Sequence, residues 1–163
     1  MDIRTQKLMF SSKSNEWETP QALFDKLDKN YSFTLDPCAT EDNHKCEKYY
    51  TVEDDGLSKS WKGERVFINP PYGDIGKWVE KAYKESLYKG GLVVMLIPAR
   101  TDTRYWHDYV MKSSAIYFIK GRLKFENKSM LKTDPAPFPS VVVVFGEPLW
   151  APFPTVLTME RPG

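Results

Sequence analysis

The sequence predicts an α/β protein, a three-layer α/β/α sandwich around a mostly parallel sheet that finishes in an antiparallel hairpin. Three observations carry this expectation. Residues 92–97 (Leu-Val-Val-Met-Leu-Ile) are an unbroken apolar run of strand length, the pattern of a central strand covered on both faces. Residues 65–68 (Arg-Val-Phe-Ile) form a second strand-type run, and helix-patterned stretches lie before and after it. Both runs stop on polar, proline-bearing turns, and open α/β sheets bind their ligands at such carboxyl-terminal turns. With 163 residues the chain is long enough for one domain with a genuine core. That domain is expected over residues 1–146, with 1–14 as a polar, serine-punctuated arm and 147–163 as a proline-rich, loosely packed tail.

Composition narrows the function classes. A net charge of +1 excludes a strongly basic nucleic-acid binder but leaves room for a local basic face. Two cysteines and two histidines give neither a disulfide framework nor a zinc pattern, so no metal is expected. No apolar run approaches the roughly twenty residues that span a bilayer, and no signal-peptide segment follows the start. A cytoplasmic protein without membrane contact is the expectation.

The elements follow in order. Thr19 is a plausible N-cap with Pro20 at the first helical position, and Leu23, Phe24 and Leu27 then share one helical face. Residues 31–35 read as the first core strand, ending in Asp36-Pro37-Cys38-Ala39-Thr40. Residues 41–48 are polar enough for a short helix, and 49–52 are a candidate second strand, followed at once by Glu53-Asp54-Asp55-Gly56-Leu57. Trp61 is expected to pack nearby. After residues 65–68, a loop over 73–76 leads to a helix over 77–89, with Trp78, Val79, Ala82, Tyr83 and Leu87 on one side and Gly90-Gly91 ending it. The strand over 92–97 runs into Pro98-Ala99-Arg100-Thr101-Asp102-Thr103, and 105–111 has a helical pattern. Strands at 115–119 and 140–145 flank Gly121-Arg122-Leu123-Lys124-Phe125 and a polar excursion over 126–139. Basic residues interleaved with aromatics there, Lys124, Lys128 and Lys132 beside Phe125 and Phe138, suit phosphates and an unpaired base.

One corner concentrates the chemistry. The strand over 65–68 runs into Asn69-Pro70-Pro71-Tyr72-Gly73. Neither proline has an N–H, so the turn can continue neither a ladder nor a helix, while its carbonyls survive as acceptors. An amide side chain, free carbonyl oxygens and an aromatic ring are thereby held together just past a strand end. That set suits a flat molecule with an –NH₂ group: the oxygens accept the amine hydrogens while the ring stacks on the face.

Asn69-Pro70-Pro71-Tyr72, taken with its surroundings, resembles the motif of the small phage-type DNA N-6-adenine methyltransferases. The resemblance spans roughly residues 10–146. It implies a Rossmann-like methyltransferase fold, S-adenosylmethionine as cofactor and DNA as partner, in the host cytoplasm if the chain is phage-encoded. It implies methyl transfer to the N-6 amine of a flipped-out adenine, with Asn69, Pro70, Pro71 and Tyr72 catalytic. For the cofactor it implies Trp17 and Thr19 before the first strand, then Asp36, Pro37, Cys38 and Ala39 after it, with Asn69. Asp36 would take the α-amino group, the first helix's N-terminus is a natural place for the methionine carboxylate, and Cys38 is a small lining residue rather than a nucleophile. At least one acid of Glu53, Asp54 and Asp55 would hold the adenosine half, Asp55 foremost because its Asp-Gly-Leu context matches. Arg100 and Thr103 resemble the family's substrate-side loop, and Arg122, Lys124 and Phe125 are the further DNA-contact candidates. The chain departs from the broader methyltransferase pattern at Cys38-Ala39-Thr40, where Gly-x-Gly is usual; the phage-type subgroup shares this form. Amino-methyltransfer to cytosine, RNA or protein glutamine, or a non-catalytic cofactor- or DNA-binding module, stand as alternatives, and either a monomer or a homodimer fits.

Overall fold

The structure, a computed structural model, describes residues 17–126, 135–146 and 154–162. Its helices are α1 (Gln21–Tyr31), α2 (Ile75–Ser86) and α3 (Arg104–Asp108). Its strands are β1 (Leu35–Asp36), β2 (Lys48–Tyr49), β3 (Arg65–Ile68), β4 (Leu92–Pro98), β5 (Ala115–Lys120), β6 (Ser140–Gly146) and β7 (Thr155–Glu160). Short 3₁₀ turns lie at Gly56–Ser58, Tyr72–Asp74 and Val110–Lys112. All seven strands join one sheet in the order β2-β1-β3-β4-β6-β5-β7. Every pairing is parallel except the two made by β6, so β6 alone runs against the others.

The period-2 alternation of the central strands divides the core into two faces. Val66 and Ile68 of β3, Val93, Met95 and Ile97 of β4, and Val141, Val143 and Phe145 of β6 face α2 and α3. There they meet Ile75, Trp78, Val79, Ala82, Trp106 and Val110. Phe67, Leu92, Val94, Leu96, Val142 and Val144 face the other way, onto Leu23, Phe24 and Leu27 of α1 and onto Leu123, Phe125 and Ala136. Helices thus cover both faces, as the run over 92–97 requires: all seven residues of β4 are buried. This is the three-layer, mostly parallel α/β fold expected from the sequence. No helix among the described residues is long and apolar enough to cross a membrane.

Several local expectations are corrected. Helix α1 starts at Gln21, not Pro20, and continues through Tyr31, where Ser32 ends it in the left-handed region at φ 50°. Asp28 secures that end, its carbonyl accepting the Ser32 N–H and its carboxylate the Phe33 N–H. The first strand is therefore displaced towards Asp36. Residues 41–48 hold turns instead of a helix, because Asn43 and Thr40 satisfy each other's N–H groups through their side chains. The C-terminal stretch is not simply a loose tail: β7 pairs along its whole length with β5 as the sheet's edge strand. The expected arm over 1–14, and Lys128 and Lys132, lie outside the described residues.

Candidate active site

The turns after β1, β2 and β3 and the segment entering α1 enclose a cleft of about 1010 Å³. Of the twelve catalytic and cofactor residues expected from the sequence, counted without repeats, Asp54 alone stays outside its lining.

Trp17, Thr19, Asp36, Pro37, Cys38, Ala39, Asp55, Asn69, Pro70, Pro71 and Tyr72 all border it.

At the β1 end, Asp36 is 4% exposed and fixed by donors, Lys45 N–H at 3.0 Å to one carboxylate oxygen and Cys38 N–H at 3.4 Å to the other. Burial pushes its carboxyl up to about 7, against those two bonds and the nearby His44 and Lys45, which pull it down. Cys38 has its thiol pushed up by burial and by Asp36, so it is no thiolate nucleophile. The turn over 53–57 can close on this region only because residue 56 is glycine: a Cβ there would lie 2.1 Å from the Pro37 carbonyl oxygen. Asp55, directly before it, takes the left-handed conformation at φ 55° and lines the cleft. Asp54 does not. Its carboxylate accepts the Thr51 N–H at 2.9 Å and the Thr51 hydroxyl at 3.1 Å, which lowers its pKa and makes it a turn-former.

The lining also includes residues that the sequence reading does not assign. Asn43 and Lys45 come from the stretch read as a helix and Thr40 from the turn before it, and Val52, Leu57 and Trp78 add apolar wall. Glu18, Asp36, Glu41, Glu53, Asp55 and Asp74 make the described lining acidic, with Lys45 its one basic residue. Such a lining favours a ligand carrying net positive charge.

At the β3 end, Asn69 is half-buried and its amide orientation is set from one side. Nδ2 donates to the Trp17 carbonyl at 2.6 Å and to the Thr19 hydroxyl at 3.1 Å. Among the described residues no donor reaches Asn69 Oδ1 or the Pro70 carbonyl. Thr19 is thus not the helix cap expected from the sequence; its hydroxyl serves Asn69. The cap comes from 105 residues away, where Glu126 accepts the Gln21 N–H at 2.9 Å. A carboxylate already satisfies that helix start, so it is not the open anion site the sequence suggests.

Tyr72 borders the same corner inside an aromatic group. Its ring lies edge-on to Trp17 at 6.0 Å and to Phe138 at 5.2 Å. Burial raises its phenol pKa, and the neighbouring Arg100 guanidinium opposes that rise. Arg100 therefore stands beside the corner with its side chain exposed. Thr103 turns its hydroxyl back to the Arg100 carbonyl at 2.7 Å. Arg122 and Lys124 are exposed away from the cleft lining, whereas Phe125 corrects the expectation of a base-stacking face. It is 3% exposed and packs edge-on behind Trp17 at 5.3 Å, a supporting wall instead of a contact surface.

A family model described as DNA N-6-adenine-methyltransferase (Dam) matches residues 7–162. The chain belongs to the Dam family. This Dam-family chain is 30% identical over 139 residues to the DNA N-6-adenine-methyltransferase of Haemophilus phage HP1, covering 82% of the chain and 80% of that relative. It is also 32% identical over 109 residues to the DNA N-6-adenine-methyltransferase of Escherichia phage T1, covering 66% of the chain and 45% of the relative. The Dam match runs through β7 and so extends beyond the stretch over which the sequence alone resembles the family.

Proposed function

We propose that this protein transfers a methyl group from S-adenosylmethionine to the N-6 amine of adenine in DNA. One observation carries the reading: in a Dam-family chain, the Asn69 Oδ1 and Pro70 carbonyl oxygens have no donor among the described residues and lie at the edge of an acidic cleft. The lining fits the cofactor, since Asp36 suits an α-ammonium group, the surplus of carboxylates suits a net cation, and Val52, Leu57 and Trp78 suit an aromatic base. When bound, S-adenosylmethionine supplies an electrophilic methyl group on a sulfonium.

The chain's own residues do the rest by positioning and electrostatics. An adenine amine inside a duplex is out of reach, so the base is extruded into the corner. The Tyr72 ring supplies a stacking face in place of the lost neighbours. Asn69 Oδ1 and the Pro70 carbonyl accept the two amine hydrogens, which localises the nitrogen lone pair and favours the positive charge that would develop as the N–C bond forms and the methyl's bond to sulfur breaks, leaving a neutral thioether. An N–H proton then leaves to solvent. Asp36 holds the cofactor end, and the exposed Arg100 guanidinium, whose charge reaches Tyr72, would meet the DNA backbone. The test is incubation with methyl-labelled S-adenosylmethionine and unmethylated DNA, followed by digestion to nucleosides. Label in N-6-methyl-deoxyadenosine is expected; label only in methylcytosine, in RNA or in protein glutamine would refute the substrate assignment.

A further inference from the structure

Asn69 can offer an oxygen only while its amide is held one way round. A flipped amide would present Nδ2 to the substrate amine, donor against donor. The Trp17 carbonyl, which can only accept, opposes this flip, and the Thr19 hydroxyl completes the Nδ2 site; both belong to the short extended segment leading into α1. That segment is itself held from outside. The Glu126 N–H donates to the Glu18 carbonyl at 3.0 Å, and the Glu126 carboxylate accepts the Gln21 N–H at 2.9 Å. One residue thus grips the segment on both sides of Thr19. The rings beside it tighten the hold, Phe125 and Phe138 each lying 5.3 Å from Trp17.

From this chain of contacts we propose that Glu126 is a positioning residue for Asn69. Its carboxylate fixes the 17–21 segment, the segment fixes the amide, and the amide oxygen faces the cleft. Glu126 is not itself part of the cleft lining and has no bond to Asn69; it holds Glu18 and Gln21, and through them the Trp17 and Thr19 groups that meet the amide. It arrives on the same stretch as Lys124, whose exposed side chain stands two residues away, so the amide is tied to a segment with a basic outer face. The inference rests on the proposed function only where turnover is concerned; the geometric claim stands apart from it.

Two substitutions cut the same bond from opposite ends. Glu126→Ala removes the acceptor. Gln21→Pro removes the donor, at the first helical position where proline is tolerated and after Pro20, already extended at ψ 131°. Glu126→Gln keeps an oxygen for the Gln21 N–H and serves as the rescue. The first readout is the Asn69 side-chain amide in ¹H–¹⁵N spectra, identified by its loss in Asn69→Ala. Both cutting variants are expected to move that resonance pair towards free-amide positions and speed its hydrogen exchange, with Glu126→Gln close to wild type. The second readout is single-turnover methyl transfer, expected to fall on the order of tenfold in both cutting variants, with the KM for DNA within about twofold. An unmoved Asn69 amide in either cutting variant, or a Glu126→Gln variant as altered as Glu126→Ala, overturns the proposal. A wild-type protein that transfers no methyl to DNA while its Asn69 amide still responds to Glu126 refutes the function and leaves the positioning role intact.

Discussion

Two strand ends of one cleft present an oxygen to its interior by opposite means. After β1, Asp36 sits among donors, the Lys45 and Cys38 N–H groups, and a carboxylate is the side chain that satisfies them. At the end of β3, Asn69 faces the Trp17 carbonyl and the Thr19 hydroxyl, and an amide is needed because the carbonyl can only accept and Nδ2 donates to it. The surroundings thus decide which end is charged. A carboxylate suits a ligand group that is cationic before any reaction. A neutral amide oxygen suits an amine that gains charge only as the reaction proceeds, because it polarises that amine without holding it as a salt.

The largest effect is expected at the neutral end. Asn69→Ala should lower single-turnover methyl transfer by about 10²- to 10³-fold, the scale seen on losing one preorganised transition-state contact. Cofactor affinity, measured by calorimetry, should change only a few-fold, through the donor that Trp17 and Thr19 lose. Near-normal turnover would remove the amide from the chemistry and end the comparison.

At the charged end the signature reverses. Asp36→Asn should weaken S-adenosylmethionine binding by roughly 10- to 150-fold, the worth of a hydrogen bond to a charged partner, while turnover at saturating cofactor falls less. The wild-type carboxyl also carries its own pH signature. With its pKa pushed up to about 7 by burial, Asp36 is protonated below that pH and loses its hold on a cation. Cofactor affinity should therefore fall roughly tenfold between pH 8 and pH 6. The sign follows from linkage: the raised folded-state pKa means the empty fold favours the proton, and a bound ammonium favours its release. In Asp36→Asn the affinity should be flat over the same range. A wild-type affinity that is equally flat would place the cation elsewhere.

The same contrast explains what the sequence reveals and what it conceals. The strand over 92–97 and the corner at Asn69-Pro70-Pro71-Tyr72 are legible because their cause is local: an apolar run and two missing N–H groups act wherever the chain goes. Asp36 is legible for a similar reason, as an acid at a strand end. Thr19 is misread because its sequence context suits a helix cap, whereas its partner Asn69 is fifty residues away and the actual cap, Glu126, is 105 away. Phe125 is misread because alternation with Arg122 and Lys124 looks basic-aromatic, yet which face an alternating stretch turns inward is set by Trp17 and the core beneath it. Strand β7 escapes notice because an edge strand with mostly exposed residues lacks a buried pattern and needs β5 as its template.

The smallest expected effect separates two neighbours that composition makes equivalent. Asp54 and Asp55 are adjacent acids in one turn, but Asp54 spends its carboxylate on the Thr51 N–H and hydroxyl while Asp55 borders the cleft. Asp55 is also the residue held at positive φ, a conformation that asparagine and aspartate enter more readily than other non-glycine residues. Asp55→Asn therefore keeps the backbone and removes only the charge, and cofactor affinity should drop by about three- to tenfold, as for one hydrogen bond. Asp54→Ala should leave affinity within about twofold and show instead as a slightly lower melting temperature, because the turn loses its side-chain brace. If the two variants exchanged behaviour, the nucleoside end of the cleft would lie on the Asp54 side, and the acidic lining would owe its charge to a different carboxylate.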